Sequence, residues 1–273
     1  MLESFAEHMF LFYIAETNMA EDDKRRLEKT VSALQARFGM RAVRRLGQDL
    51  DEPLPRLATG FTALDKLLGG GLPRGRITEI AGSPTSGMAT LALKTIAQAQ
   101  AQGEMAIYLD LEQTFDPAYA ARCGVIMEQL ILIHPYNAQQ GFAVLEEFAA
   151  GDVGVLVCDL PLRILSAPPL LQALSTTLER LLAPLGKSTT VLICLLSLPS
   201  AAPATYAQSV ALPHYATVRL LISRERWIYR RRDIHGYRVQ VRVVKNKLRP
   251  TSAAGTMVEV DIVFDEGPEG GDP

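Results

Sequence analysis

The chain has 273 residues, of which 48% are hydrophobic and 21% are charged, and its formal net charge is −2. This length predicts one large domain or one domain with a small appendage, and the apolar content is sufficient for a packed core. The near balance of charge excludes a uniformly basic nucleic-acid coat protein. The charge is uneven along the chain, because residues 219–249 hold eleven Lys or Arg and two acids, whereas residues 250–273 hold six acids and no Lys or Arg.

The cysteines and the start of the chain bear on its location. Cys123, Cys158 and Cys194 are far apart and have apolar neighbours, so we expect buried thiols in a reducing compartment rather than disulfides or a metal site. The apolar run at residues 9–15 lacks a basic signal-peptide start and is too short to span a bilayer. We therefore expect a cytoplasmic protein with no membrane segment.

Residues 21–40 have the spacing of an amphipathic helix that ends near Gly39. Its apolar stripe consists of Leu27, Val31, Leu34 and Phe38. The helix cannot bury this stripe alone, so it packs on its own domain or on a neighbour. We predict an N-terminal helix and arm for oligomerisation or docking over residues 1–55, a core over residues 56–266 and a disordered tail over residues 267–273.

Apolar runs alternate with helical stretches from Arg56 onward. The predicted buried strands are Ile77–Ala81, Met105–Leu109, Gln129–Ile133, Val153–Cys158 and Thr190–Leu196. The predicted helices are Ala89–Ala101, Pro117–Cys123, Gln139–Ala150 and Pro169–Leu185. This alternation predicts an α/β fold with a mostly parallel sheet and helices on both faces.

The last part of the core has a different pattern, in which apolar and polar residues alternate. The alternating segments are Ala216–Ser223, Trp227–Arg231, Tyr237–Val244 and Thr256–Phe264. They predict an antiparallel C-terminal extension of the sheet, with a turn at Asp233–Gly236.

A loop with two glycines five residues apart joins the first predicted strand to the first predicted helix. A strand, a glycine loop and a helix form the setting of a phosphate-binding loop, in which backbone N–H groups cradle the anion. The candidate nucleotide-binding residues are Gly82, Ser83, Pro84, Thr85, Ser86, Gly87, Met88, Ala89 and Thr90. The spacing alone is equally compatible with a simple tight turn.

Two side chains that a working phosphate loop needs are missing. Met88 stands where a lysine would contact the phosphates, and Ala89 stands where a hydroxyl would hold Mg²⁺. Pro84 also removes one backbone donor. Since charge-assisted hydrogen bonds contribute roughly 1.5–3 kcal/mol each, we expect ATP·Mg binding to be weaker by about two to four powers of ten. We assign no firm cofactor and no metal site.

Several segments in the same order resemble RecA recombinases. They are Thr59–Ile80, Asp110–Ala120, Val155–Asp159, Tyr215–Leu220 and Val241–Leu248, and residues 33–48 resemble the end of the family's polymerisation helix and the arm that follows it. The resemblance implies a RecA-like P-loop ATPase core and a role in DNA repair and recombination within an SOS-type response to DNA damage.

The resemblance also implies roles for four residues. Glu112 falls at the position of the glutamate that activates the attacking water, and Asp159 falls at the Walker B aspartate. Lys245 and Lys247 fall where the family's lysines reach the nucleotide of a neighbouring subunit. The alternatives are ordinary acids at the ends of parallel strands and a solvated strand edge.

The chain departs from the family beyond the phosphate loop. Ser197 occupies the position of the glutamine sensor, and the stretches that would grip single-stranded DNA, residues 160–169 and 199–208, are short and lack a basic cluster. These departures favour a non-hydrolysing accessory subunit, similar to the ImuA type, that docks on RecA-type subunits or a translesion polymerase. The alternatives are an active DNA-dependent ATPase that binds ATP and single-stranded DNA in homologous recombination, and a purely structural homo-oligomer.

The basic segment is a candidate site for single-stranded DNA, because arginines interleaved with aromatic rings suit a phosphate backbone with stacked bases. The candidate residues are Arg224, Arg226, Arg230, Arg231 and Arg232. The alternatives are pairing with the acidic tail, docking of an acidic partner protein, and plain solvated surface.

Overall fold

The computed structural model describes residues 22–39, 54–149, 151, 153–161, 164, 166–198, 212–230, 233–248 and 255–263. The chain divides into two units, Met1–Pro53 and Leu54–Pro273. In the first unit, helix α1 spans residues 22–38 and is followed by Gly39, whose φ is +92°. The arm at residues 40–53, the second DNA-gripping stretch at residues 199–208 and the tail at residues 267–273 lie outside the described residues.

An eight-stranded sheet forms the centre of the second unit, in the order β10-β9-β8-β3-β7-β6-β4-β5. Its strands are β3 (Arg76–Gly82), β4 (Ala106–Asp110), β5 (Leu130–Ile133), β6 (Val155–Leu160), β7 (Val191–Ser197), β8 (Val218–Arg230), β9 (Asp233–Asn246) and β10 (Met257–Val263). Strands β8, β3, β7, β6, β4 and β5 are parallel neighbours, and β9 is antiparallel to both β8 and β10. The predicted α/β fold with a mostly parallel sheet is confirmed.

Helices cover both faces of this sheet. They are α2 (Thr62–Leu68), α3 (Met88–Ala101), α4 (Pro117–Arg122), α5 (Ala138–Ala149), α6 (Pro168–Leu185) and the short α7 (Leu212–Tyr215). Leu91 and Ile96 of α3 pack on one face, whereas Leu145 of α5 and Leu178 of α6 pack on the other. The central strands are continuous apolar runs because both of their faces are buried. None of the described helices is long and apolar enough to cross a membrane.

The C-terminal strands differ from the sequence prediction. Asp233–Gly236, predicted as a turn, belongs to β9, and the hairpin pairs Arg230 with Asp233 instead. A Cβ on Gly236 would overlap the carbonyl oxygen of Ile262. A glycine is therefore needed here because β10 lies so close, and not because the chain turns. In addition, the first part of β8 is parallel to β3, and the buried pair of Arg219 and Glu79, at 2.7 Å, joins these two strands.

The two segments predicted at Ala216–Ser223 and Trp227–Arg231 correspond to one continuous strand, β8, and β9 begins four residues before the predicted Tyr237. The other predicted helices and strands of the core are found within one or two residues of their predicted bounds. Helix α2 and the two-residue strands β1 (Arg56–Leu57) and β2 (Leu72–Pro73) were not predicted. The three cysteines are free and buried, as expected. Trp227 is 39% exposed, so it is not the core anchor that an apolar ring in a strand would suggest.

Candidate functional site

The glycine loop lies where β3 ends and α3 begins. Gly82 is the last residue of β3, and Gly87 caps the start of α3 with a φ of +103°. Thr85 between them also has a positive φ, of 61°. Backbone of this kind turns the chain sharply and leaves the first N–H groups of α3 at the surface of the loop.

Packing, together with the positive φ of Gly87, explains both glycines. A Cβ on Gly82 would lie 2.5 Å from the carbonyl oxygen of Ile222 and 2.5 Å from Ser86 Oγ. A Cβ on Gly87 would lie 2.8 Å from Ile262 Cδ1. The two glycines therefore allow the neighbouring strands β8 and β10 to pack against the loop, whether or not a phosphate is ever bound.

The side chains at the start of α3 offer a phosphate neither a positive charge nor an unengaged hydroxyl. Met88 is 8% exposed and belongs to the apolar core cluster, and Ala89 has no oxygen. The Thr90 hydroxyl is 2.6 Å from the Tyr119 hydroxyl and 3.2 Å from that of Tyr237. The hydroxyl of Thr90, the first one in α3, is thus already engaged by protein groups.

Carboxylates lie at the carboxyl ends of β4 and β6, beside the loop. Asp110 and Asp159 are paired across these strands, and Glu112 follows β4 two residues later. Asp110 Oδ2 accepts a hydrogen bond from the N–H of Phe115, while its buried Oδ1 has no partner among the described residues. His134 Nδ1 lies 3.7 Å from Asp110 Oδ2, and the charges of Asp110 and Glu112 act on Asp159, so the acids create a negative field at this edge.

Burial, and to a smaller extent this field, changes the protonation of Asp159. The Tyr108 hydroxyl donates a hydrogen bond to Asp159 Oδ2 at 3.0 Å. Burial raises the pKa of Asp159 to about 6, with further increases from the charges of Asp110 and Glu112 and a partial offset from the hydrogen bond of Tyr108. Burial also raises the pKa of Tyr108 well above its ordinary value, so this hydroxyl stays protonated as a donor. We did not predict Tyr108 from the sequence, although its position two residues before Asp110 on one strand puts both side chains on the same face.

A cavity of about 660 Å³ joins the loop to these acids. This loop cavity is lined by Met88, Ala89 and Thr90 together with Glu112, Asp159 and Ser197, so the structure brings most of the predicted residues together. Among the lining residues that the sequence did not place there are Arg224, Trp227 and Tyr237 of the C-terminal strands.

The hairpin of β8 and β9 reaches the loop cavity because its pairing is irregular. The strand register shifts between Arg224 and Arg226, so that Glu225 is skipped and Arg224 shares a face with Trp227. The Arg224 guanidinium lies 4.5 Å from the centre of the Trp227 ring. Arg224 is the one Lys or Arg among the described residues that line the loop cavity.

These residues do not fit ATP·Mg as a phosphate loop would hold it. The described lining offers two carboxylates and a single arginine stacked on an indole, and Met88 supplies neither charge nor donor. No group of three or more His, Cys, Asp or Glu among the described residues could hold a metal ion. A triphosphate would meet net negative charge here, so the loop keeps its shape without the charges that the ligand requires.

The predicted DNA-binding arginines are not one continuous patch. Arg224 faces the loop cavity, whereas Arg226 is paired with Arg238 across the hairpin. Arg238 donates two hydrogen bonds to Asp261, at 2.6 and 2.8 Å, and a third to Glu259 at 2.9 Å, so part of the basic segment is neutralised within the sheet. Arg230 lies at the end of β8, and Arg231 and Arg232 lie outside the described residues.

Lys245 and Lys247 lie at the opposite edge of the sheet from the loop. Asn246 between them pairs with Val218 at the start of β8, near the beginning of β3 rather than its end. Lys245 Nζ donates to the carbonyl oxygen of Pro213 at 2.6 Å, and Lys247 Nζ donates to that of His214 at 3.4 Å. Neither lysine can therefore serve the loop cavity of its own chain.

Comparison with known proteins identifies the family. Residues 25–165 match the model of the RecA N-terminal domain. The chain is 33% identical over 270 residues to Protein RecA of Lactobacillus delbrueckii subsp. bulgaricus, an alignment that covers 91% of this chain and 81% of that protein. It is 35% identical over 272 residues to Protein RecA of Chloroherpeton thalassium, which covers 92% of this chain and 75% of that protein.

The fold has a counterpart among solved structures. The crystal structure of the RadB recombinase superposes with a TM-score of 0.61 and 22% identity, covering 76% of this chain and 96% of that one. This likeness supports the fold, and the sequence matches above place the chain in a family of DNA recombination and repair proteins. The chain belongs to the RecA family.

Proposed function

We propose that this chain is a non-hydrolysing member of the RecA family that acts as an accessory subunit in DNA repair and recombination. The observation that supports this most strongly is the start of α3, where Met88 is buried in the core and Ala89 has no hydroxyl. Charge neutralisation supplies most of phosphoryl-transfer catalysis, and the loop has no lysine to provide it, since the one cation of the described lining, Arg224, is stacked on Trp227.

The direct test is ATP turnover by the purified chain, with and without single-stranded DNA. We expect no turnover above that of a Glu112→Gln variant, which lacks the proposed vestigial base. Turnover that requires Mg²⁺, is stimulated by DNA and is lost in Glu112→Gln would contradict the proposal.

The proposed partners are RecA-type subunits or components of a translesion polymerase, acting in an SOS-type response. Leu27, Leu34 and Phe38 of α1 are exposed, which makes this stripe a suitable docking element. Co-purification with RecA from the same cells should be lost when Leu34 and Phe38 are both changed to Ser, while a Lys29→Gln variant on the same helix should behave as the parent protein. Retention of the partner by the double variant would exclude the stripe as the docking element.

An active DNA-dependent ATPase is the second candidate, because Glu112 and Asp159 both line the loop cavity. The missing phosphate-binding lysine would then have to come from another chain, since Lys245 and Lys247 of the same chain lie at the far edge of the sheet. In that case turnover should rise more steeply than linearly with protein concentration and should fall in a Lys245→Gln variant.

We further propose that the hairpin contributes to binding single-stranded DNA. Arg224 with Trp227 offers a cation and a partly exposed ring side by side, which suits a phosphate and a stacked base. The arginines of the other face are less suitable, since Arg238 is already paired with Asp261 and Glu259. Titration with a labelled oligonucleotide at several salt concentrations would test this contribution.

A further inference from the structure

The last strand of the sheet, β10, has an open outer edge. It stands at one end of the strand order and, among the described residues, pairs with β9 alone. Met257, Glu259, Asp261 and Val263 are all exposed, so solvent reaches β10 along its full length.

Backbone hydrogen-bonding groups point outward from this edge. The N–H of Val243 donates to the carbonyl oxygen of Thr256 at 2.9 Å, which fixes the side of β9 that faces β10. Backbone groups alternate in direction along antiparallel strands, and the seven pairs of β9 with β10 run without a shift in register. The N–H and C=O groups of residues 258, 260 and 262 therefore bond to β9, whereas those of Glu259 and Asp261 point away from the sheet.

The usual protections of an edge strand are missing from β10. Native edges are commonly kept from pairing by a short strand, by lysine or proline, or by a β-bulge. β10 has seven residues with neither lysine nor proline, and its register is regular. At the other edge of the sheet, β5 has only four residues. The edge of β10 is therefore better suited to receive a further strand.

The charges at this edge indicate what kind of strand it would receive. Arg238 of β9 donates hydrogen bonds to both Glu259 and Asp261, yet these carboxylates remain 52% and 41% exposed. Lys94 and Arg122 line a cavity with Asp261 at the end of β10, so Glu259 is the acid more open to a new cation. Opposite charges on neighbouring strands attract when they lie directly across from each other. Lysine or arginine is therefore favoured on the added strand.

The other face of β10 is apolar. Val260 and Ile262 belong to the same core cluster as Leu64 and Leu68 of α2. An added strand extends this core when its residues on that face are apolar and β-branched. Such a strand alternates cations with residues such as valine.

A second copy of β10 does not meet these requirements. Consider the antiparallel registers that pair five or more residues and keep the two apolar faces together. In every one of them, an acid at position 259 or 261 lies opposite an acid of the other copy, which is destabilising. The sequence continues with two further acids, Asp265 and Glu266, which add to the repulsion.

We propose that the edge of β10 accepts an extended segment of a partner protein in which lysine or arginine alternates with β-branched apolar residues. The backbone of that segment hydrogen-bonds to the outward groups of β10, and its cations lie opposite Glu259 and Asp261. This inference goes beyond the proposed accessory function, because it concerns β10 rather than α1 and holds whether or not the chain hydrolyses ATP.

The probe is a labelled peptide, Val-Lys-Val-Lys-Val-Lys-Val, titrated with the full chain at about 0.15 M salt, where unspecific attraction between exposed charges is screened. Fluorescence anisotropy should show saturable binding to the parent. The same peptide methylated at every backbone nitrogen keeps its charges but cannot donate hydrogen bonds to β10. It should therefore bind at least about tenfold more weakly.

Two variants at one position separate the backbone from the charge. Glu259→Gln removes the carboxylate and keeps the N–H, whereas Glu259→Pro removes both. Because this N–H points away from the sheet, proline leaves the hydrogen bonds to β9 in place. Glu259→Pro should bind the peptide about tenfold more weakly than Glu259→Gln, and circular dichroism would show that both variants are folded.

Three results would overturn the proposal. Equal binding of the methylated and unmethylated peptides by the parent would exclude strand addition, and this comparison does not depend on the folding of a variant. Equal binding of the peptide Val-Glu-Val-Glu-Val-Glu-Val would exclude a basic partner. A dimer of the parent that sedimentation detects, and that Glu259→Pro abolishes, would show that a second copy occupies the edge instead.

Discussion

The glycine loop and the strand ends beside it differ in which groups they offer a ligand. The loop has a strand–glycine–helix backbone without a lysine or a hydroxyl at its first helical positions, whereas Asp159 at the end of β6 and Glu112 just after β4 place carboxylates in the same cavity. Gly82 and Gly87 are needed where Ile222 and Ile262 pack against the loop, and Gly87 also has a positive φ. The spacing of the glycines therefore indicates how closely the loop is packed, whereas the presence or absence of charged side chains indicates whether the loop binds phosphate.

Restoring the missing side chains is the strongest way to test this comparison. A Met88→Lys/Ala89→Thr variant should bind ATP·Mg about 10² to 10⁴ times more tightly than the parent, because two charge-assisted contacts are regained on an intact backbone. Titration calorimetry would measure the gain. Met88→Leu/Ala89→Val changes the same positions without charge or hydroxyl and should show none. An unchanged affinity in the lysine variant would mean that the loop backbone no longer cradles a phosphate.

The packing role of the loop predicts the next largest effect. Gly87→Ala should lower the free energy of unfolding by about 2–4 kcal/mol, since the alanine meets both a left-handed backbone and the Ile262 side chain. Gly103→Ala is the matched control, because its φ is also positive, at +74°, but nothing lies within 4 Å of the added Cβ. Gly103→Ala should lower the free energy of unfolding by about 1–2 kcal/mol. Denaturant unfolding followed by circular dichroism would compare the two, and equal losses would show that backbone strain alone explains Gly87.

The retained acids predict a dependence on pH. The folded pKa of Asp159 is about 6, above the ordinary value of about 3.9, so the folded state holds this proton more tightly. Stability contributed by this group is full below about pH 4 and is lost as the pH rises to about 6. As the pH rises from 4 to 7, the free energy of unfolding of Asp159→Asn should therefore increase by about 1–3 kcal/mol relative to that of the parent. Unfolding curves at both pH values would measure this, and a constant difference would refute the raised pKa.

The smallest effect concerns the arginines of the hairpin. Arg224→Gln should reduce the slope of log affinity for single-stranded DNA against log salt by roughly 0.7, the value for one phosphate contact. Arg238→Gln should change the slope little, since Asp261 and Glu259 already neutralise that arginine. Fluorescence anisotropy at several salt concentrations would measure both slopes. Equal slopes for the two variants would remove the distinction between the faces of the hairpin.

Local pattern determined much of the fold. The central strands are continuous apolar runs and the helices have apolar stripes, so their bounds could be predicted within one or two residues. The same applies to the loop, since a strand, two glycines and a helix follow one another directly in the chain. These features depend on near neighbours in the sequence, where periodicity and glycine spacing carry the information.

The lining of the loop cavity was decided by tertiary structure. Arg224 and Trp227 reach it only because β8 pairs with β3, some 140 residues earlier in the chain, and because the register shifts at Glu225. The role of Gly236 likewise became clear only from its contact with β10. Sequence by itself determined which side chains are absent from the loop, while the register between distant strands determined which ones surround it, because register depends on packing that no local pattern specifies.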